Sequence, residues 1–182
     1  MSAPEGGNVL VIGVDGVRFD FLGPDGAPSV WALGQAGFLA RVPVDEATPT
    51  WAITTRAAAI LAGQAPRVSF VYLGAVDFAG HAAGSGATYR AALLAADQRV
   101  GRLVAAVRSR PSGPEEDWTI VVVTDHGHLD EGGHGGREPE VTTAWAAVAG
   151  PGIRPGAPPL VARQEEVAPL VLAAAGCPGH RG

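Results

Sequence analysis

The stretch from Trp118 to Gly136, WTIVVVTDHGHLDEGGHGG, constrains this chain more than any other. It opens with an unbroken β-branched run, Thr119-Ile120-Val121-Val122-Val123. Such a run predicts a strand buried on both faces, as in a parallel sheet covered by helices. Asp125 and His126 follow at once, then glycines and His134. Open α/β sheets place their chemistry where buried strands run into such loops. Taken alone, Asp-His-Gly is explained as well by a polar turn at a strand end, because short motifs recur by chance. Two other strands end in the same way, and that shifts the balance.

The first is Asn8 to Val14, which runs into Asp15-Gly16. No G-x-G-x-x-G follows it, which argues against a dinucleotide site. The second is Arg67 to Leu73, followed by Gly74-Ala75-Val76-Asp77-Phe78-Ala79-Gly80-His81. Asp77 and His81 are four residues apart, a spacing that shares one face if the segment coils into a helical turn. Between these strands the pattern predicts a helix over Ser29 to Gly37, with Ser29 as its N-cap. A strand over Phe38 to Val44 and a helix over Ala52 to Gly63 follow. Thr88 to Arg110 reads as the longest helix. Its apolar stripe is Tyr89, Leu93, Ala96, Val100, Leu103, Val104 and Val107, with Asp97 off the stripe. Val141 to Ala149 reads as a last strand and Glu165 to Ala175 as a last helix. This order predicts an α/β chain, a three-layer sandwich around a largely parallel central sheet, in one domain spanning 1–182.

Bulk properties exclude several function classes. The 182 residues are 47% hydrophobic and 17% charged, as in a folded globular protein. A net charge of −5 without a basic stripe argues against binding nucleic-acid polymers. Cys177 has no second cysteine to pair with. Met1 to Gly7 is short and polar, unlike a secretory leader, and no apolar run is long enough to span a bilayer. The expectation is a cytoplasmic protein with no membrane partner.

Three parallel strands ending at one sheet edge would bring together Asp15, Asp77, His81, Asp125, His126 and His134. Carboxylates and imidazoles packed so closely need cations to offset their repulsion. Mixed oxygen and nitrogen donors suit Zn²⁺ first and Mn²⁺ second, where an all-oxygen set would suit Mg²⁺ or Ca²⁺. Six ligands suffice for two divalent ions with open positions, an arrangement used in phosphoryl transfer. His128 alternates away from His126 on a strand and is left out of the set, as is His180 near the chain's end.

The segments VIGVDGVRFD, VYLGAVDFAGH and VVVTDHGHLDEGGHGG, in that order and spacing, resemble the alkaline phosphatase superfamily. The nearest branches are the type I phosphodiesterase/nucleotide pyrophosphatase group and the catalytic domains of phosphoethanolamine transferases. EEVAPLVLAAAG resembles the helix that closes the sheet there. The resemblance implies one metal held by Asp15, Asp125 and His126, and another by Asp77, His81 and His134. It also implies a small phosphorylated substrate and a Thr or Ser nucleophile at a helix N-terminus between the first two motifs.

Here the chain departs from its relatives, which carry a long stretch after that nucleophile. Pro49-Thr50-Trp51 resembles the run-in, yet Ala52 to Gly63 resembles the helix just before the second-motif strand. A segment near residues 51–52 therefore looks to be missing. Thr50, at the expected helix start where backbone N–H groups favour anions, is the chosen nucleophile, with Thr48 and Thr54 as alternatives. The expected activity is hydrolysis of phosphoric esters. The competing expectations are a shortened, inactive metal-binding member, or a phosphotransferase.

Overall fold

The computed structural model describes residues 7–43, 54–63, 66–112, 115–156 and 163–177. In chain order the elements are β1 (Asn8–Val14), α1 (Pro28–Ala36), β2 (Phe38–Pro43), α2 (Thr54–Ala62), β3 (Val68–Leu73), α3 (Ala75–Ala83) and α4 (Ala87–Arg108). They continue with β4 (Trp118–Val123), α5 (Pro139–Thr142), β5 (Thr143–Ala149) and α6 (Val167–Ala174).

The five strands form one sheet in the order β2-β5-β4-β1-β3. β1 is an inner strand and pairs in parallel with β3 and β4, with Val11 opposite Phe70 on one side and Val121 on the other. β5 runs antiparallel to both β4 and β2. The sheet is thus mostly parallel, as expected, with one reversed strand.

The apolar runs are continuous because alternate residues of each central strand enter different cores. Leu10, Ile12 and Val14 of β1 join Ile120, Val122 and Trp145 beneath the layer that contains Val30, Leu33, Leu61, Leu93 and Leu103. Val9 and Val11 join Val121, Ala146 and Val148 on the opposite face, against Val167, Leu170 and Val171 of α6. A strand flanked by helices on both faces can afford no polar side. Among the described residues no helix is long and apolar enough to cross a membrane.

Two expectations about α1 and α4 need correction. The helix begins at Pro28, and Ser29 is not its N-cap; Ala27 holds that position and makes no side-chain cap bond. The unpaired N–H groups of Ser29 and Val30 donate instead to Asp97, at 3.0 and 2.9 Å. Asp97 is therefore not off the buried face of α4: it is 2% exposed and caps α1 from the neighbouring helix. The last strand starts later than expected, because Pro139–Thr142 forms a single helical turn before β5. The last helix is preceded by a 3₁₀ turn at Gln164–Glu166.

Candidate metal centre

Because β3, β1 and β4 are adjacent and parallel, their C-terminal ends open on one edge of the sheet. Asp15 follows β1 directly, and Gly16 turns the chain at φ +69°. A Cβ on Gly16 would sit 2.9 Å from both the Asp77 backbone and the His128 ring, so only glycine allows this close approach. After β3, Gly74 leads into α3, whose first and last turns carry Asp77 and His81 on one face. After β4, Thr124 redirects the chain. Its hydroxyl accepts from the Val17 N–H and donates to the His126 carbonyl, both at 3.1 Å. Asp125, His126 and His128 then follow outside the strand, and the glycine-rich loop returns His134. Arg18, itself buried, donates to Asp130 of that loop and to Asp20, tying the first motif to the third.

All six expected residues reach this edge. His126 Nε2 lies 3.3 Å from Asp15 Oδ1 and 3.9 Å from Asp125 Oδ2. Asp125 Oδ1 accepts from the backbone N–H of His126 at 3.0 Å and of Gly16 at 3.4 Å. His81 Nε2 and His134 Nε2 each lie 3.5 Å from Asp77 Oδ1, and 3.0 Å from one another. Two groups of donors stand close enough to share an ion: Asp77, His81, His128 and His134, and Asp15, Asp77 and His126. Asp125 flanks the second group.

His128, left out of the expected set, also reaches this edge. It is completely buried, and its Nε2 is 2.8 Å from Asp77 Oδ1. Alternation away from His126 requires β4 to continue past that residue, but the strand ends at Val123 and Gly127 N–H pairs with the Val141 carbonyl instead. The usable signal was the pair of glycines, Gly16 and Gly80, whose missing side chains make room for this ring. Thr50, Thr48 and His180 lie outside the described residues; Thr54 is the first residue of α2.

The donor set tests whether metal ions fit. His126 Nδ1 faces the Gly127 carbonyl at 3.0 Å, so that nitrogen carries the proton. Its Nε2 lone pair then faces Asp15 Oδ1, a buried oxygen without a hydrogen-bond partner among the described residues. Two acceptors facing each other across 3.3 Å are stable only with a cation or a proton between them. Metal-ligating histidines commonly donate their other N–H to a carbonyl in this way. Divalent ions fit this arrangement, and its imidazoles favour zinc-like ions over calcium.

The electrostatics of these side chains agree. Burial pushes the Asp15 carboxyl up to about 7, helped by the negative charges of Asp125 and Asp77 and opposed by the hydrogen bond from Tyr72. Burial also acts on Asp77, but the His128 hydrogen bond and the neighbouring His81 and His126 hold it below the usual range. Burial, then the neighbouring His126, lowers His134. The imidazoles collect around Asp77, which leaves Asp15 the carboxylate most short of positive charge.

A mostly parallel sheet with acidic and imidazole groups at its strand ends is the architecture of alkaline-phosphatase-like hydrolases. The chain belongs to the type I phosphodiesterase/nucleotide pyrophosphatase family, whose model matches residues 39–138, more than half its length. No curated protein sequence matches it. Among solved structures it is similar to a putative sulfatase from Bacteroides thetaiotaomicron, with a TM-score of 0.72 at 12% identity over 97% of this chain and 72% of that one. It is also similar to a 2-O GAG sulfatase, with a TM-score of 0.73 at 12% identity and the same coverage of both chains. At that identity the likeness concerns the fold.

Proposed function

We propose that the chain hydrolyses phosphoric esters, as a phosphodiesterase/pyrophosphatase or a phosphatase, with two divalent metal ions and a threonine nucleophile. The observation that carries this reading is the pair of facing acceptors, His126 Nε2 and Asp15 Oδ1, beside a second nitrogen-rich group around Asp77. Asp15, Asp125 and His126 would hold one ion, and Asp77, His81 and His134 the other. Zn²⁺ suits these donors first and Mn²⁺ second. When bound, such ions stabilise the attacking and leaving oxygens of an in-line displacement.

Thr50 is the proposed nucleophile. Its hydroxyl would attack phosphorus, release the alcohol and form a phosphothreonine ester that water then cleaves. The substrate is a small phosphorylated molecule, not a nucleic-acid polymer, and the setting is one cytoplasmic domain without a membrane partner. With phosphothreonine transferred to another acceptor, the same site would be a phosphotransferase. A second reading, a shortened and inactive metal-binding member, is favoured by the brief link from α2, ending at Ala62, to β3, starting at Val68. On this reading α2 is the helix that precedes the second-motif strand, and the segment proposed to be missing lies before it, near residues 51–52.

Turnover of bis-p-nitrophenyl phosphate and p-nitrophenyl phosphate, with Zn²⁺ or Mn²⁺ added, tests the proposal. Hydrolysis of either, abolished in Thr50→Ala with metal binding intact, supports it. Full activity in that variant moves the nucleophile elsewhere. No activity in the fully loaded unmutated chain selects the inactive reading.

A further inference from the structure

His128 stands in the metal centre without a role. It is 0% exposed, closer to Asp77 than His81 or His134, and its Nδ1 has no partner among the described residues. It could be a fourth ligand of the Asp77 group or a group that acts on Asp77. Distances separate the two. Ligands about 2.0–2.1 Å from a tetrahedral ion stand roughly 3.3 Å from each other. His81 and His134 lie 3.5 Å from Asp77 Oδ1, close to such an edge and long for a hydrogen bond. His128 lies at 2.8 Å, which is hydrogen-bond length.

The unpartnered nitrogen points the same way. If Nε2 carried a metal, the proton would sit on Nδ1 as a buried donor with no acceptor. If Nε2 carries the proton, Nδ1 is only a buried lone pair, and unpaired acceptors are tolerated more often than unpaired N–H groups. The ring has little freedom to change this. A Cβ at Gly80 would lie 2.7 Å from its Cδ2, Cε1 and Nε2 atoms, and one at Gly16 would lie 2.9 Å from Cδ2. The ring is wedged between the first-motif turn and α3.

We propose that His128 is a positioning residue: its Nε2–H donates to Asp77 Oδ1 and fixes the carboxylate that serves the His81–His134 site. The proposal rests on the metal reading above. Partners of this kind typically account for 10–100-fold in metal affinity.

Two measurements test it. In Zn²⁺-loaded unmutated protein, long-range ¹H–¹⁵N correlation of the histidine rings should show the His128 proton on Nε2; a proton on Nδ1 would overturn the proposal. Co²⁺ titration should show His128→Met binding about 10–100-fold more weakly at one site, with the number of sites and the visible bands preserved. His128→Gln, which keeps a donor at that reach, should recover most of the affinity. Unchanged affinity in His128→Met would make the ring merely structural. Altered bands and a lost site in both variants would make it a ligand. Either result overturns the proposal while leaving the metal reading in place, whereas absence of Co²⁺ binding by the unmutated chain removes both. If His128→Met does not fold, the proton position in the unmutated protein decides.

Discussion

The Nε2 atoms of His81 and His134 face each other at 3.0 Å, although one comes from the last turn of α3 and the other from a loop 53 residues later. Both side chains are at the surface of the site, and neither is needed by the core. Replacing either with alanine should therefore leave the metal-free fold within about 0.5 kcal/mol of its original stability. The same change should weaken binding at one metal site by at least roughly 100-fold, more than loss of an outer partner does. Denaturant melts with chelator, beside Zn²⁺ competition titration, would separate the two effects.

Asp15 makes a prediction of opposite sign. Its carboxyl is raised from 3.8 to about 7 in the fold, so the folded metal-free chain holds a proton that the unfolded chain has lost. The resulting penalty is absent below the unfolded value, grows through this interval and is complete above about pH 7. Asp77 acts in reverse, since its lowered value contributes stability that is lost as pH falls below the usual carboxylate range. Asp15→Asn should stabilise the metal-free protein at pH 7.5 by at most roughly 4 kcal/mol, seen as a higher melting temperature, and change little at pH 4. With Zn²⁺ present the order should reverse, because the variant loses a ligand. Melts at both pH values, with and without chelator, give the comparison.

Gly80 allows a test from the helix side. Gly80→Ala places a methyl against the buried His128 ring, and crowding of this kind costs about 1–3 kcal/mol. It should also weaken metal binding through Asp77, though the substituted residue touches no metal. Equal metal affinity in this variant would show that the ring can give way.

Asp97 supplies a control far from the metal centre. Asp97→Ala leaves the Ser29 and Val30 N–H groups unpaired at the start of α1, which should cost about 2–3 kcal/mol. Metal affinity, measured well below the new melting point, should not change.

The sequence made the strand ends legible because their physics is local. β1 has the predicted bounds, Asn8–Val14, since a strand buried on both faces needs an unbroken apolar run. Asp77 and His81 share a face because four residues is about one helical turn. What escaped depended on contacts between distant segments. Asp97 looked like a solvent-facing acid, as nothing near it in sequence reveals that α1 lacks its own cap. His128 was misplaced because its partners, Gly16, Asp77 and Gly80, come from two other motifs. The reversed β5 escaped for a similar reason: strand direction is set by where the chain re-enters the sheet, not by the strand's own residues.

Metal stoichiometry tests the central claim most directly. The purified chain, loaded with excess Zn²⁺, freed of unbound metal and measured by elemental analysis, should hold two equivalents. Asp125→Ala and His81→Ala should each hold one. No zinc above background in the unmutated protein, with Mn²⁺ loading equally blank, would contradict the account.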